Sequence, residues 1–229
     1  MSNAVLVIGR SGTGKTTSIE TLPPKETFYI GCTKKDLPFK GAKTNYQPFS
    51  TKDNPKGNYI ITDRSGVVIG VLNYVNENRP DIKYVVLDDF IYSMSNEFVR
   101  RGKEKGFQMY NDIGVDAGMI LMQICNSMRD DINVVVFNHS DEYTDVSGIK
   151  MEKFKTIGKL VDDKVNPEGM FATVLYTDVS KGEKGMEYGF LTQNTGLNTG
   201  KSPKGMFEEE KIPNDMKFVF DSMDKYYFG

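Results

Sequence analysis

The chain of 229 residues has one histidine, two cysteines and no tryptophan. A single histidine, His139, leaves too little material for a histidine-based metal centre. Cys32 and Cys125 form no CxxC pair and each stands in an apolar stretch. Both read as reduced core residues of a cytoplasmic protein. Neither sign of charge prevails, for the net charge is -2. There is thus no global basic field to attract nucleic acid, and any such site has to be local. No stretch approaches the ~18 apolar residues of a membrane span. The N-terminus lacks the charged and then apolar pattern of a secretory signal. No repeat, low-complexity tract or linker divides the chain, so residues 1–229 are expected to form one domain.

What the chain does have is a series of short apolar runs. "AVLVI" (4–8), "TFYIGC" (27–32), "NYIIT" (58–62), "KYVVLDD" (83–89) and "NVVVFN" (133–138) suit strands buried on both faces of a parallel sheet. Helical patterns alternate with them over 15–22, 65–77, 91–99 and 113–129, the first stopped by Pro23 and Pro24. This alternation predicts a three-layer α/β fold with a mainly parallel sheet. The last third differs. "MFATVLYTDV" (170–179) and "MEYGFLTQN" (186–194) flank "SKGEKG", which predicts a C-terminal β-hairpin extension. A Gly/Asn/Thr/Lys loop follows over 194–205, then a last helix over 214–227 with Asn214 near its start.

Between the first strand and the first helix stands "GRSGTGKT", a P-loop running Gly9, Ser11, Gly12, Thr13, Gly14, Lys15, Thr16 and on into Thr17. Glycines let backbone N–H groups converge on phosphate oxygens, and the helix beginning near Lys15 adds its positive end. Lys15 has the reach of the β- and γ-phosphates, and the Thr16 hydroxyl that of a Mg²⁺ ion. A nucleotide–Mg²⁺ site also needs a carboxylate at a strand end, and "YVVLDDF" supplies Asp88 for the Mg²⁺ shell. Asp89 either polarises the attacking water or caps the following helix. Two strand candidates lie between the P-loop strand and the aspartate strand. In one large branch of P-loop proteins, which hydrolyse ATP for mechanical or assembly work, another strand is inserted between those two in the sheet. No guanine-reading NKxD motif is present, which favours ATP over GTP. "FNHSDE" places Asn138 and His139 at a strand end where ligands gather. His139 is the candidate γ-phosphate sensor, the alternative being a histidine satisfied by local backbone.

Taken together, "GRSGTGKTT", "VVLDDFIYSMSNEFV", "VVVFNHSDE", "KTIGKLVDDKVNPEGMFATVLYTDV" and "FLTQNTGLNTGKSPKGMFE" resemble the phage-encoded RecA-like recombination ATPases of the small Sak-type group. The resemblance runs from Val5 to about Glu208, and its more specific part is "TIGKLVDDKVNPEGMF" and "KSPKGMF". It implies a RecA core, ATP and Mg²⁺ as cofactors, single-stranded DNA binding, and work in phage recombination or strand annealing in the host cytoplasm. It implies a homo-oligomer, ring or filament, with a phage single-strand-binding or replication protein as a further partner. One departure stands out. RecA-type enzymes usually carry a catalytic glutamate after the second strand; here the stretch reads "FYIGCTKKDLPF", where Asp36 is the nearest acid. Either Asp36 or Asp89 replaces it, or hydrolysis is weak.

DNA loops in RecA-like proteins follow the aspartate and sensor strands. Those places hold "VRRGKEKGFQMY", with Arg100, Arg101, Lys103 and Lys105, and "IKMEKFKTIGK", with Lys150, Lys153, Lys155 and Lys159. Phe107, Tyr110 and Phe154 are the candidate stacking groups. The bland alternative is two solvated faces with buried aromatics. Lys201 and Lys204, on the loop given freedom by Gly200 and Gly205, are candidates to reach a neighbouring subunit's ATP. Arg10 lies inside the P-loop and is expected to point away from the phosphates. Two other functions stay open: a nucleotide-gated loader with little turnover, and a small-molecule P-loop kinase, although no arginine-rich lid is visible.

Overall fold

In a computed structural model the structure describes residues 3–158, 162, 165–183 and 185–229. The apolar runs become β1 (Asn3–Ile8), β2 (Thr27–Gly31), β3 (Tyr59–Ile61), β4 (Tyr84–Asp88) and β5 (Asn133–Asn138). Two further strands, β6 (Ser140–Thr144) and β7 (Lys150–Phe154), pair antiparallel as a separate ribbon. After them come β8 (Thr173–Gly182), β9 (Gly185–Leu191) and β10 (Lys211–Pro213). The main sheet has the order β10-β9-β8-β1-β5-β4-β2-β3. Its strands from β8 through β3 in that order run parallel, and β9 and β10 are antiparallel additions. A mainly parallel α/β sheet with a C-terminal hairpin is therefore what the sequence led one to expect. The inserted strand is β5, which separates the P-loop strand β1 from the aspartate strand β4.

Strand alternation sends side chains to two apolar layers. Leu6, Ile8, Phe28, Val85 and Val136 face one side. There they meet α2 (Ser65–Asn78), α3 (Ile91–Arg101) and α4 (Gln108–Ser127), whose buried positions include Val68, Leu72, Val75, Ile91, Met94, Ile120 and Ile124. Val5, Val7, Tyr29, Val86, Val135 and Phe137 face the other side, against Ile19 and Leu22 and against Met216, Val219, Phe220 and Met223 of the last helix. Two four-residue helices, α1 (Ala42–Asn45) and α5 (Pro167–Met170), sit in connections, and the last helix is α6 (Met216–Phe228). The cysteines are free thiols, Cys32 buried and Cys125 partly so. Among the described residues no helix is long and apolar enough to cross a membrane.

Three local expectations need correction. The P-loop is followed by only a six-residue 3-10 helix, Thr16–Thr21. Pro23 and Pro24 stop it, and the Ser18 hydroxyl donates to Lys15 O, competing for a backbone acceptor. The last helix is capped by Asp215 rather than Asn214: its carboxylate accepts from Phe218 N at 3.0 Å. The 194–205 loop is tied down and not free. Lys201 N–H donates to Val174 O and Val174 N–H to Lys201 O, at 2.9 and 2.8 Å, while Asn198 is buried. Lys184, in the predicted hairpin turn, lies outside the described residues.

Phe220 is fully buried between α6 and the sheet, its ring 5.6 Å from that of Tyr84. We expect Phe220→Ala to cost about 3–5 kcal/mol in urea unfolding. Lys225→Ala, on the exposed side of the same helix, should stay within about 0.5 kcal/mol of wild type. Equally small effects would show that α6 is not part of the core.

Candidate nucleotide-binding site

β1, β4 and β5 end at one edge of the sheet, and the chain turns there at Gly9. The turn passes so close to β8 that a Cβ on Gly9 would stand 1.8 Å from Thr177 Oγ1. Thr177 Oγ1 donates to Thr13 Oγ1, and Thr13 Oγ1 to Arg10 O, both at 2.8 Å, which laces the loop to that strand. Gly12 and Gly14 have φ of +78° and +88°, a conformation that costs a side chain energy and glycine none. Since the helix beyond is a short 3-10 turn, its dipole contributes less than a full α-helix would, and the anion site depends on loop N–H groups and Lys15.

Lys15 is buried, and its ammonium donates to Gly9 O at 2.8 Å and Arg10 O at 2.7 Å. It is folded back onto its own loop. Burial pulls its pKa down to about 8, although Asp88 and Asp89 pull the other way. Thr16 Oγ1 donates to Asp88 Oδ2 at 2.7 Å, and Tyr29 OH donates to the same oxygen at 2.9 Å. Asp88 is fully buried, and its Oδ1 has no partner among the described residues. Burial, and next the neighbouring Asp89, push the Asp88 carboxyl above its ordinary range, against the Thr16 and Tyr29 hydrogen bonds. A hydroxyl and a destabilised carboxylate with a spare oxygen form a hard-donor set that fits Mg²⁺ shared with phosphates. Among the described residues no group of three or more His, Cys, Asp and Glu side chains forms a metal cage.

Asp89 is buried and has φ +59°, unusual for a residue with a side chain. The twist ends β4 and turns the carboxylate into the cleft. It does not cap α3, which has no side-chain cap. Instead it pairs with the Lys35 ammonium and lies 3.3 Å from His139 Nε2. Burial opposes its ionisation, but hydrogen bonds from His139 and Lys35 hold it below the usual carboxylate range. His139 is packed edge-on against Tyr92, ring centres 5.9 Å apart. Its ring is therefore engaged by the site and not by local backbone. Asn138 is fully buried beside it and donates to Lys155 O at 2.9 Å. Asp36 is far more exposed (side chain 79%) and pairs with Lys43 at 3.1 Å. It stands at the mouth of the cleft while Asp89 stands inside.

The cleft encloses ≈ 490 Å³, in the range of small-ligand sites. Ser11, Gly12, Gly14, Lys15, Thr16, Thr17, Asp36, Asp89 and His139 line it, so most of the sequence-predicted site converges there. Lys35, Tyr188 and Asn214 line it too. In that stretch the sequence points to Asp36 as the candidate acid and gives no signal for Lys35. Tyr188 and Asn214 arrive from strands folded back across the sheet, which no local pattern announces. Arg10 points away from the cleft, as expected, and pairs with Glu142 and Glu152 of the β6–β7 ribbon.

The remaining candidates lie elsewhere. Arg100 is bound to Glu97 and Asp63, Arg101 to Glu104 and Asp112, and Lys153 to Asp162. Lys103, Lys105, Lys150 and Lys155 are exposed, as is Phe107. Phe154 is a core residue 6.2 Å from Phe90, so it offers no stacking face. Lys159 lies outside the described residues. Lys201 and Lys204 do not line the cleft of their own chain.

No protein-family model matches the chain, and no curated protein matches it. Solved structures do, 257 chains in all. One is the KaiC-like protein PH0186 from the hyperthermophilic archaeon Pyrococcus horikoshii OT3. It is 14% identical, covering 82% of this chain and 77% of that chain, with a TM-score of 0.44.

Phosphates attract the protonated form of Lys15, whose pKa in the free protein is about 8. Nucleotide affinity should then be level below pH 8 and fall above it, by up to about tenfold per pH unit. In Lys15→Arg the charge persists throughout, so affinity measured by titration calorimetry from pH 7 to 9.5 should stay level whatever its absolute value. A level profile in wild type would refute the buried lysine as a phosphate ligand.

Proposed function

We propose that the protein binds and hydrolyses Mg²⁺·ATP and couples that cycle to single-stranded DNA in phage recombination or strand annealing. The observation that carries the ATPase part is the meeting of Lys15, Thr16 and Asp89 in one cleft, with Asp88 bonded to Thr16 behind it, at the carboxyl edge of a sheet with a strand inserted between β1 and β4.

In this account loop N–H groups hold the β-phosphate, and Lys15 exchanges the Gly9 and Arg10 carbonyls for phosphate oxygens. Mg²⁺ beside Thr16 and Asp88 supplies Lewis-acid neutralisation of phosphate charge. Asp89 orients a water toward the γ-phosphorus and accepts its proton as the P–O bond to ADP breaks. His139, within reach of Asp89, registers the departure of phosphate. The Lys35 and His139 contacts keep Asp89 ionised but make it a weak base, so turnover should be slow without a further cation. Lys201 and Lys204 are the proposed source of that cation, acting from a neighbouring copy in an oligomer.

Support for the DNA part is twofold. Exposed Lys103, Lys105 and Phe107 stand after α3, and exposed Lys150 and Lys155 stand on the ribbon or just beyond it, which suits backbone charge plus base stacking. The ribbon is also joined to the cleft. Arg10 of the P-loop pairs with Glu142 and Glu152, and Lys155 N–H donates to His139 O at 2.9 Å. Arg100, Arg101 and Lys153 would have to trade their carboxylate partners for phosphates. A second possibility, the nucleotide-gated loader, is favoured by the hold of Lys35 on Asp89, which keeps that carboxylate a poor base.

The test is phosphate release with and without single-stranded DNA at low salt. We expect DNA-stimulated turnover that rises per subunit with protein concentration. Asp89→Asn should bind ATP and lose turnover about 10²-fold or more. Binding without turnover in wild type would replace the ATPase by the gated loader. Absence of DNA retention would remove the recombination role.

A further inference from the structure

β10 ends at Pro213, and Asp215 begins the cap of α6. Between them Asn214 is set directly over the P-loop. A Cβ added to Gly14 would stand 2.9 Å from Asn214 Nδ2 and 3.2 Å from its Oδ1. The position is fixed from below, because Thr21 Oγ1 donates to Asp215 Oδ1 at 2.7 Å and Asp215 caps Phe218 N. Asn214 Nδ2 is buried, yet it has no hydrogen-bond partner among the described residues. A buried amide N–H₂ left without an acceptor is costly, unless a ligand completes it. The residue lines the nucleotide cleft.

The sheet order says which part of a ligand that amide meets. Asp88, Asp89 and His139 stand at the ends of β4 and β5, on one side of β1. Asn214 follows β10, and Tyr188 comes from β9, both on the opposite side of β1. A triphosphate whose terminal phosphate faces Asp88 and Asp89 therefore carries its nucleoside toward Asn214 and Tyr188. From this we infer that Asn214 is a nucleoside-side ligand of the cleft, its Nδ2 donating to the ribose or base of the bound nucleotide. The inference rests on the ATP-binding function proposed above and adds to it the residue that distinguishes a nucleotide from a bare polyphosphate. Gly14 then has two duties. It adopts positive φ for the loop, and it leaves the space that Asn214 occupies.

The experiment measures the affinity of ATP and of inorganic triphosphate, each with Mg²⁺, for wild type, Asn214→Ala and the isosteric Asn214→Asp. We expect ATP affinity to fall roughly tenfold in both variants, the loss of one hydrogen bond to a buried donor. Inorganic triphosphate should bind Asn214→Ala as it binds wild type. Unchanged ATP affinity in both variants overturns the inference. So does an equal loss for ATP and triphosphate in Asn214→Ala, which would make the residue a prop for the P-loop. If wild type binds triphosphate but not ATP, or binds neither, the ATP-binding function itself fails, and that result is visible before any variant is made.

Discussion

The hydrogen bond from Thr16 to Asp88 closes the site. The two residues are 72 positions apart in the chain: Thr16 opens the turn of helix that follows β1 and its loop, Asp88 ends β4, and β1 and β4 are not neighbours. With β5 between them, β1 and β4 lie about 9–10 Å apart. The loop after β1 must reach across the end of β5 to bring its hydroxyl to the carboxylate. That reach sets the path of the P-loop over the sheet edge, and it places the end of β5, with Asn138 and His139, beneath the loop.

Burying adjacent carboxylates is expensive, and the surroundings answer each in a different way. Asp88 is given two hydroxyl donors and, among the described residues, no ion-paired cation, and one oxygen has no partner. Asp89 is given Lys35 and His139, so its charge is stabilised. The left-handed backbone at Asp89 separates the two side chains and sends them to these different partners. In the function proposed above, the first carboxylate would serve a metal ion and the second a water molecule. The same geometry explains the place of Lys35. It lies beside Asp89 at the cleft and restrains that carboxylate.

Much of this was legible in the sequence, for identifiable reasons. β1, β4 and β5 are short runs of apolar residues with both faces buried, a pattern that cannot be solvent-exposed. The P-loop is a local motif, and it lies where its strand ends. The β6–β7 ribbon was not legible, because "SDEYT" and "KMEKF" fully bury only Phe154 and are too polar to show a strand pattern. The helix after the P-loop was overestimated, since Ser18 spends its hydroxyl on a backbone carbonyl and the proline pair follows closely. Asn214 and Asp215 are both capable caps, and only the contact with Thr21 decides between them. Tyr188 and Asn214 reach the cleft through pairings of β8, β9 and β10, long-range events that no window of residues contains.

In the proposed function the cleft takes a nucleotide through a metal ion shared by Thr16 and Asp88. The most direct measurement is the melting temperature of the wild-type chain with ATP, in the presence of Mg²⁺ and then of a chelator. A ligand at about a hundred times its dissociation constant stabilises the folded state by about 2.7 kcal/mol. For a domain of this size that is a rise of roughly 5–10 °C. That rise is expected with Mg²⁺, and most of it should be lost on chelation. The same melting temperature in all three conditions, no ATP, ATP with Mg²⁺ and ATP with chelator, would contradict it.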